Sequence, residues 1–409
     1  MVNWFIAGLY RNFHNDTGGA SGLALVQAPF LQPNRSLVQV FPVSPWVRIC
    51  RLVSLLVLLW ASTVGLAWEP CRMDTGEDPS RSRTMFVRHL RGHCSAEDRK
   101  AFAVPAGSIL DALKDGYGVD LDGVVVTGDL MLDRLPLEPV PLNRISAAFV
   151  RDRFQAEHVT RVYIIHGPFR LRHAEVHGIL ATNLYKRGYL VVMGPFDLTG
   201  TRFHRSIDFS RTVFLDSVDV SGAVIAYEAF FIRALFLDRA RFEKTAFGTH
   251  TRFYKAVFGD RVAFTRAGFN GLAEFLEVTF QQDASFSRTR FVMGTGFSGS
   301  RFTRGLDFSE ATFDREAFFR FTAFEGDAYF RRTVFHNVAD FTQAQFRGIS
   351  DFTKVRFAKP PQLAGTSISL PESTQLAGLH DPQILTGVII ATLVILGIVL
   401  VLFYRRESE

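Results

Sequence analysis

Residues 264–302 read FTRAGFNGLAEFLEVTFQQDASFSRTRFVMGTGFSGSRF, with phenylalanine at 264, 269, 275, 280, 286, 291, 297 and 302. The gaps alternate five and six without a slip. Followed in both directions, the same clock runs from position 203 to position 357. It has 29 beats, of which 27 are Phe and the other two are Val220 and Ile225. Two residues ahead of each beat lies a second lane of Ala, Thr, Val or Ser (Ala256, Ala267, Ala273, Ala284 and Ala311 among them), with only Ile207 and Leu306 larger. Two lanes on one clock make 201–357 an internal repeat.

An 11-residue apolar period can mark a right-handed coiled coil, but Phe, Thr, Val and frequent Gly are poor helix formers. A β-solenoid satisfies both lanes. Residues two apart share one face of a strand, so each short segment sends one small and one large side chain inward. The Asp, Arg, Ser, Glu and Lys around them then face solvent. Alternate connections carry one extra residue and are rich in turn formers: Gly248, Gly259, Asp260, Gly271, Gly294, Gly305, Gly326, Asn337 and Gly348. Sides of five, six, five and six residues predict a coil of about 22. The stretch then supplies roughly seven coils rising ~4.8 Å each, a rod on the order of 35 Å.

The steps Ile-Asp-Phe at 207–209, Leu-Asp-Phe at 306–308, Ala-Asp-Phe at 339–341 and Ser-Asp-Phe at 350–352 resemble the pentapeptide-repeat proteins. Their five-residue unit has a small residue, Asp or Asn, a central Leu or Phe, and two variable residues. The resemblance covers about 40% of the chain. It implies an all-β, right-handed quadrilateral β-helix with the central residues stacked inside: Phe253, Phe264, Phe275, Phe286, Phe297, Phe308, Phe319, Phe330, Phe341 and Phe352. The extra residue at alternate steps departs from the strict unit, as in Phe-rich members of the family. With its flanking segments, the expected fold is this β-solenoid with a small N-terminal helical cap and a C-terminal transmembrane α-helix.

The chain has 409 residues, 41 Phe against nine Tyr and four Trp, and a formal charge of +6. Within 196–359 there are 23 Lys/Arg and 19 Asp/Glu, a nearly balanced surface. Three Cys are too few for a disulfide framework. Cys71 and Cys94 can form one bridge outside the cytoplasm, and Cys50 lies beside a hydrophobic segment.

Along the chain, 1–46 shows no period and reads as a leader that is disordered or, if translation starts at Val47, not translated. In 47–67, Arg48 and Arg51 precede an apolar run (52–66) and the small-residue step Gly65-Leu66-Ala67. This is the pattern of a signal peptide or, uncleaved, an N-terminal membrane anchor. Residues 68–118 read as a helical cap region. Ser95 and Asp98 are spaced to cap one helix, and 105–114 places Ile109, Leu110 and Leu113 on one face before Gly116. Residues 119–197 form an irregular front end of the β-helix, using Val, Leu and Ile where later coils use Phe. Pro136, Pro139 and Pro141 mark a loop inserted in it, followed by a small helix at 147–158. The main β-helix then occupies 198–357, and 358–383 is a linker that begins near Pro360-Pro361. Its "LPEST" at 370–374 lacks the Thr-Gly step of surface-sorting signals. Residues 384–403 carry no charge and, at ~1.5 Å per residue, are long enough to cross a ~30 Å hydrocarbon core. Arg405 and Arg406 follow in the tail, 404–409. The positive-inside rule places that tail in the cytoplasm, and the repeat outside it on a chain of one pass, or two with an uncleaved anchor.

The one suggestive set of reactive side chains is His173, Glu175 and His177, alternate residues on a predicted strand. Two imidazoles with a carboxylate make a zinc-like set; a solvated strand face is the plainer alternative. His158 and His166 lie nearby without fixed geometry. No nucleotide loop, Gly-x-Ser-x-Gly elbow or Cys-x-x-Cys pair is present, and no cofactor is expected. These features predict a membrane-anchored scaffold without catalysis, held in the lipid bilayer through 384–403 and bound to a protein or cell-envelope polymer. The family offers a rival, since some members mimic DNA and act on gyrase. That mechanism needs a strongly acidic surface in place of phosphates, and the balanced charge argues against a nucleic-acid-like role. A β-helix enzyme cleaving glycans through carboxylates paired across coils is a further alternative, as is the same scaffold facing the cytoplasm.

Overall fold

Strand Arg202–Phe203 pairs in parallel with Val224–Ile225, setting residue 203 over residue 225. The same offset of 22 recurs in Ile207↔Ala229, Val213↔Leu235 and Val218↔Ala240. A chain that lies on itself at this constant offset closes a four-sided coil. The computed structural model describes residues 69–76, 84–184, 188–368, 370 and 375–376. In it the strands stack into four sheets of 12, 12, 9 and 10 strands, an all-β solenoid of the right-handed type with about eleven turns. Face one contains Phe196–Asp197 and its stack, face two Arg202–Phe203, face three Ile207–Asp208 and face four Thr212–Phe214. The expected leader (1–46), signal or anchor (47–67), membrane span (384–403) and tail (404–409) lie outside the described residues. Among the described residues no helix is long and apolar enough to cross a membrane.

Both lanes of the clock are interior. The ten phenylalanines from Phe253 to Phe352, two to a coil, are buried and alternate between faces three and one. From Phe253 to Phe330 each stacks nearly parallel on its counterpart in the next coil: Phe253–Phe275 at 5.0 Å and 7°, Phe264–Phe286 at 4.8 Å and 9°. Each also meets the ring from the opposite face, half a coil on, edge to face, as in Phe264–Phe275 at 5.4 Å and 85°. Offset stacks and T-contacts are the favoured aromatic geometries, adding ~0.5–1.5 kcal/mol per pair to area burial. The small lane needs narrow side chains because a ring occupies the adjacent inward position. Where it carries Thr, the hydroxyl is buried and must find a partner. At most of these positions it donates to a backbone carbonyl of the preceding coil, as Thr289 to Phe264 (2.7 Å), Thr322 to Phe297 (2.9 Å) and Thr333 to Phe308 (2.9 Å), whereas the Thr212 hydroxyl is buried without a partner.

The corners are of two kinds. Every eleventh residue from Gly200 to Gly365 has a left-handed backbone, with φ between +54° and +73°. Gly holds few of these sites; most carry Arg, Lys or Glu, among them Arg233, Lys255, Arg266, Glu277 and Glu310. The glycines that stand out in sequence mark the other, six-residue corners, where φ is not positive and the constraint is space. A Cβ on Gly271 would lie 1.8 Å from the carbonyl oxygen of Thr249, and one on Gly348 2.5 Å from the carbonyl of Gly326. Six of the left-handed corners (at 200, 211, 222, 310, 343 and 354) are held by an Asp just ahead of the inward large side chain. Its carboxylate accepts the N–H two residues on, as in Asp307 with Ser309 (2.8 Å), Asp340 with Thr342 (2.9 Å) and Asp351 with Thr353 (2.9 Å). This is why Asp-Phe recurs: the side chain replaces the hydrogen bond that the turn costs the backbone.

Region 68–118 differs from the expected helical cap. Met85–Arg91 pairs in parallel with Gly118–Asp122, and Arg72–Asp74 runs antiparallel to Met85–Arg91, so face one extends through this segment. Val104–Pro105 likewise begins face two. The ladders supplied by Gly118–Asp122 and Val125–Thr127 decide these strands, which the polar composition hid. Two helices remain, α1 (Ala96–Ala101) and α2 (Ala106–Lys114). Ser95 and Asp98 form a reciprocal capping box on α1. Helix α2 buries Ile109, Leu110 and Leu113 in the same core as Val104, Val124 and Leu130. Cys71 and Cys94 are joined by a disulfide.

Strands between 118 and 197 enter the same four sheets, but their coils are longer. Val119 pairs with Phe169 and Phe169 with Phe196, both advances exceeding the regular offset. The first excess is an insertion that forms a strand, Leu137–Pro139, and helix α3 (Ala148–Ala156). It covers an apolar column on the outside of face four, Ile164, Val191, Val213 and Leu235, with Val150 and Phe154. At the other end the coil does not stop at Pro360-Pro361. Gln362 and Ala364 accept from the backbone of Phe341 and Gln343 (both 2.8 Å). Leu363 and Ile368 keep the clock with aliphatic side chains packed on the core, and Gln375–Leu376 pairs with Arg356–Phe357. The expected linker therefore begins inside the solenoid; the prolines and the loss of Phe concealed the continuing pattern.

Three substitutions separate these forces. Phe286→Ala is expected to cost about 3–5 kcal/mol, the range for deleting a buried ring. Phe321, 62% exposed at φ +56°, is a left-handed corner without need of its ring. Phe321→Gly should relieve ~1–2 kcal/mol of backbone strain against an entropy cost of ~0.5–1 kcal/mol, a small net gain. Gly271→Ala should destabilise. Thermal unfolding of the three variants checks the order.

Candidate functional site

With the interior filled by rings, whatever this molecule binds must meet outward side chains, and the constant register arranges those in columns. Opposite charges recur along them: Arg288–Glu310 at 2.9 Å and Glu310–Arg332 at 3.4 Å climb one corner, and Lys255–Glu277 at 3.3 Å another. Face two adds Arg290–Asp314 and face four Arg301–Glu325, both 2.9 Å. The balanced composition is thus a paired surface, not a field of one sign.

Two places interrupt the columns. On face one the outward positions shrink to Ala263 and Ser285 between Arg241 on one side and Asp307 and Tyr329 on the other. The missing side chains leave a trough of about 790 Å³, rimmed by Arg239, Arg261, Arg304, Asp283 and Asp327. On face four, Glu157 at the end of α3 ties the insertion to the solenoid. It accepts from Arg211, from Arg233 (2.6 Å) and from the Tyr189 hydroxyl (3.1 Å). Arg211 lies over the Tyr189 ring at 4.3 Å and donates to the Gly188 carbonyl at 2.8 Å.

The histidines expected to share a face divide. His173 occupies a left-handed corner at φ +48°, which turns it away from Glu175 and toward the preceding coil, where its Nδ1 lies 3.0 Å from Asp122 Oδ1. Glu175 and His177 do share the outside of face two, with Val176 buried between them. Their third neighbour is His204. Strand Glu175–Val176 pairs with Arg202–Phe203, so His204 sits on the next coil beside His177. The two imidazoles stack with centroids 4.6 Å apart at 10°. His177 Nε2 and His204 Nε2 lie 4.0 and 3.8 Å from Glu175 Oε2, and Arg99 approaches the other carboxylate oxygen at 3.9 Å. Among the described residues this is the one group of three His, Cys, Asp or Glu side chains whose ligand atoms all lie within 4.8 Å of one another. Of the other nearby histidines, His166 pairs with Glu138 at 2.8 Å, and His158 lies past the end of α3 at φ +52°. Sequence spacing missed His204 because a whole coil, longer than the regular one, separates it from His177.

Residues 264–312, 308–356 and 319–366 match the family model of pentapeptide repeats (9 copies). That part of the chain is a pentapeptide-repeat solenoid. Comparison of the chain with curated proteins and with solved structures yields no match.

The ion pairs carry a pH dependence. Burial pushes the Glu157 carboxyl up, but the hydrogen bond and charge of Arg211, with Arg233 and Tyr189, hold it below the ordinary glutamate value of 4.5. Asp340 and Asp351 likewise titrate below 3.8: burial opposes this, and Thr342 with Arg320, and Thr353 with Arg331, outweigh it. Carboxylates lowered in the folded state bind fewer protons there than in the unfolded chain. Their stabilisation is complete above the unfolded values and is lost as pH falls through the folded ones. The thermal midpoint should therefore hold down to about pH 5 and fall in more acid solution. Glu157→Gln should lower the midpoint at neutral pH and flatten that fall. A midpoint that ignores acid would exclude the assignment.

Proposed function

We propose that this chain is a membrane-tethered scaffold without catalytic activity, which holds its pentapeptide-repeat solenoid outside the cytoplasm and presents it to a protein or an envelope polymer. One observation carries the reading. In the regular coils inward positions are confined almost entirely to Phe and small residues, with a few aliphatic exceptions such as Ile207, Ile225 and Leu306, whereas outward positions vary from coil to coil and on face one open into the mixed-charge trough. A surface built that way can be fitted to a partner without disturbing the core. The trough offers guanidinium and carboxylate groups at its rim and the Ser285 hydroxyl at its floor, held by hydrogen bonds with Thr265 (3.1 Å) and Ser287 (3.2 Å) beside it. That chemistry suits the hydroxyls and carboxylates of a polysaccharide, or an extended peptide.

The placement rests on separate features. The uncharged run 384–403 followed by Arg405 and Arg406 is a membrane span with its positive end in the cytoplasm. The Cys71–Cys94 disulfide suits an oxidising compartment. Helix α2 closes the early coils by burying its apolar side over their core, in the manner of a terminal cap.

Protease treatment of intact cells should digest the repeat while sparing a C-terminal tag, and the reverse result would place the solenoid in the cytoplasm. Ala263→Gln and Ser285→Gln together fill the trough at outward sites where substitutions usually move stability by less than about 0.5 kcal/mol. They should release whatever co-purifies with the wild-type chain from solubilised membranes. Retention of that partner would move the binding surface to another face.

A further inference from the structure

The geometry points to a binding site for one divalent transition-metal ion of the zinc class, formed by Glu175 and His177 on one coil and His204 on the next. The backbone dictates the convergence. Val176 and Phe203 are in register and point inward, so the residues on either side of them point outward. This puts His177 and His204 side by side on the ladder and Glu175 two residues away on the same face.

The gaps between these groups are informative. Both imidazole Nε2 atoms face one carboxylate oxygen, at 4.0 and 3.8 Å. That is too long for a hydrogen bond, which needs ~2.7–3.2 Å. The Nε2 of His204 is screened from solvent and has no hydrogen-bond partner, an uncommon state for a screened polar atom. A zinc ion bonds imidazole nitrogen and carboxylate oxygen at ~2.0–2.2 Å, so two such bonds bridge donors roughly 3.3–4 Å apart. The three donors already lie close to that spacing, and small side-chain rotations complete it. Their side chains are 39–51% exposed, which leaves room on the solvent side for those rotations. Arg99, at 3.9 Å from Glu175 and itself partly exposed, would swing into solvent as the ion's charge replaced its own.

Two neutral imidazoles and one carboxylate leave a single positive charge and one open coordination position directed outward. Three protein ligands with a free position is the arrangement of accessible zinc sites. Such an ion would clamp two consecutive coils at the junction where the core changes from aliphatic residues to Phe. It would also offer the free position to a carboxylate or imidazole of a docking partner.

Full-length protein without an affinity tag, purified in detergent and stripped with chelator, is titrated with Co²⁺ and then Zn²⁺. The expected result is one equivalent of Co²⁺ with ligand-field absorption of low-symmetry nitrogen and oxygen coordination, displaced by Zn²⁺. His177→Ala and His204→Ala should abolish the spectrum, and Glu175→Gln should weaken binding by more than about 100-fold, beyond the ~10–100-fold that loss of a supporting contact costs. His173→Ala should leave it unchanged. His204→Gln repeats the test with similar bulk, and circular dichroism without metal verifies that each variant is folded. Absence of saturable one-to-one binding to the wild type would overturn the proposal. So would equal impairment by His173→Ala and His204→Ala.

Discussion

The structure depends on one constraint: the parallel ladder lays each residue of the regular coils over its counterpart exactly one coil earlier in the chain. Phenylalanine enforces this spacing from inside. A ring stacked at 4.8 Å on its counterpart and edge-on to the ring across the core fits one register. A slip of one residue would turn every ring to solvent and every Asp or Arg to the core. With the register fixed, any residue type that repeats becomes a line along the solenoid. Rings, buried threonines, left-handed corners and paired charges are all columns of this kind.

The columns divide interior from exterior, and the exceptions are where other parts of the chain intervene. Face four would expose Ile164, Val191, Val213 and Leu235, but the insertion carrying α3 covers them, and Glu157 secures that cover with two guanidiniums and a phenol. The column turns polar once the helix has passed, as Val257 is followed by Thr279 and Arg301. The insertion and the strip beneath it therefore form one unit.

Much of this was legible in the sequence because the clock is spatial. Alternation of five and six residues gave the four sides, and the small lane beside the rings gave the inward face. The corners were harder to read. Glycines drew attention to the six-residue turns, where at Gly248, Gly271, Gly326 and Gly348 crowding against a neighbouring carbonyl requires them, whereas the left-handed residues are mostly Arg, Lys and Glu, a few of them, such as Arg211, Glu310 and Lys354, following a supporting Asp. The region before Gly118 looked helical since its strands draw their order from a ladder and not from their own residues. The candidate metal ligands show the same limit. Glu175 and His177 follow from alternation within one strand, but exchanging His173 for His204 required the length of an irregular coil.

A rod whose cross-section repeats with every coil has a natural quantum of length. Losing or duplicating one whole coil in the regular part changes its reach by one layer, about 4.8 Å, and leaves every later side chain on its original face. A change of half a coil keeps the phase of the rings but turns the rest of the rod half a revolution, presenting the opposite side. Reach and orientation can thus vary independently through insertions of fixed size, without any alteration to the core.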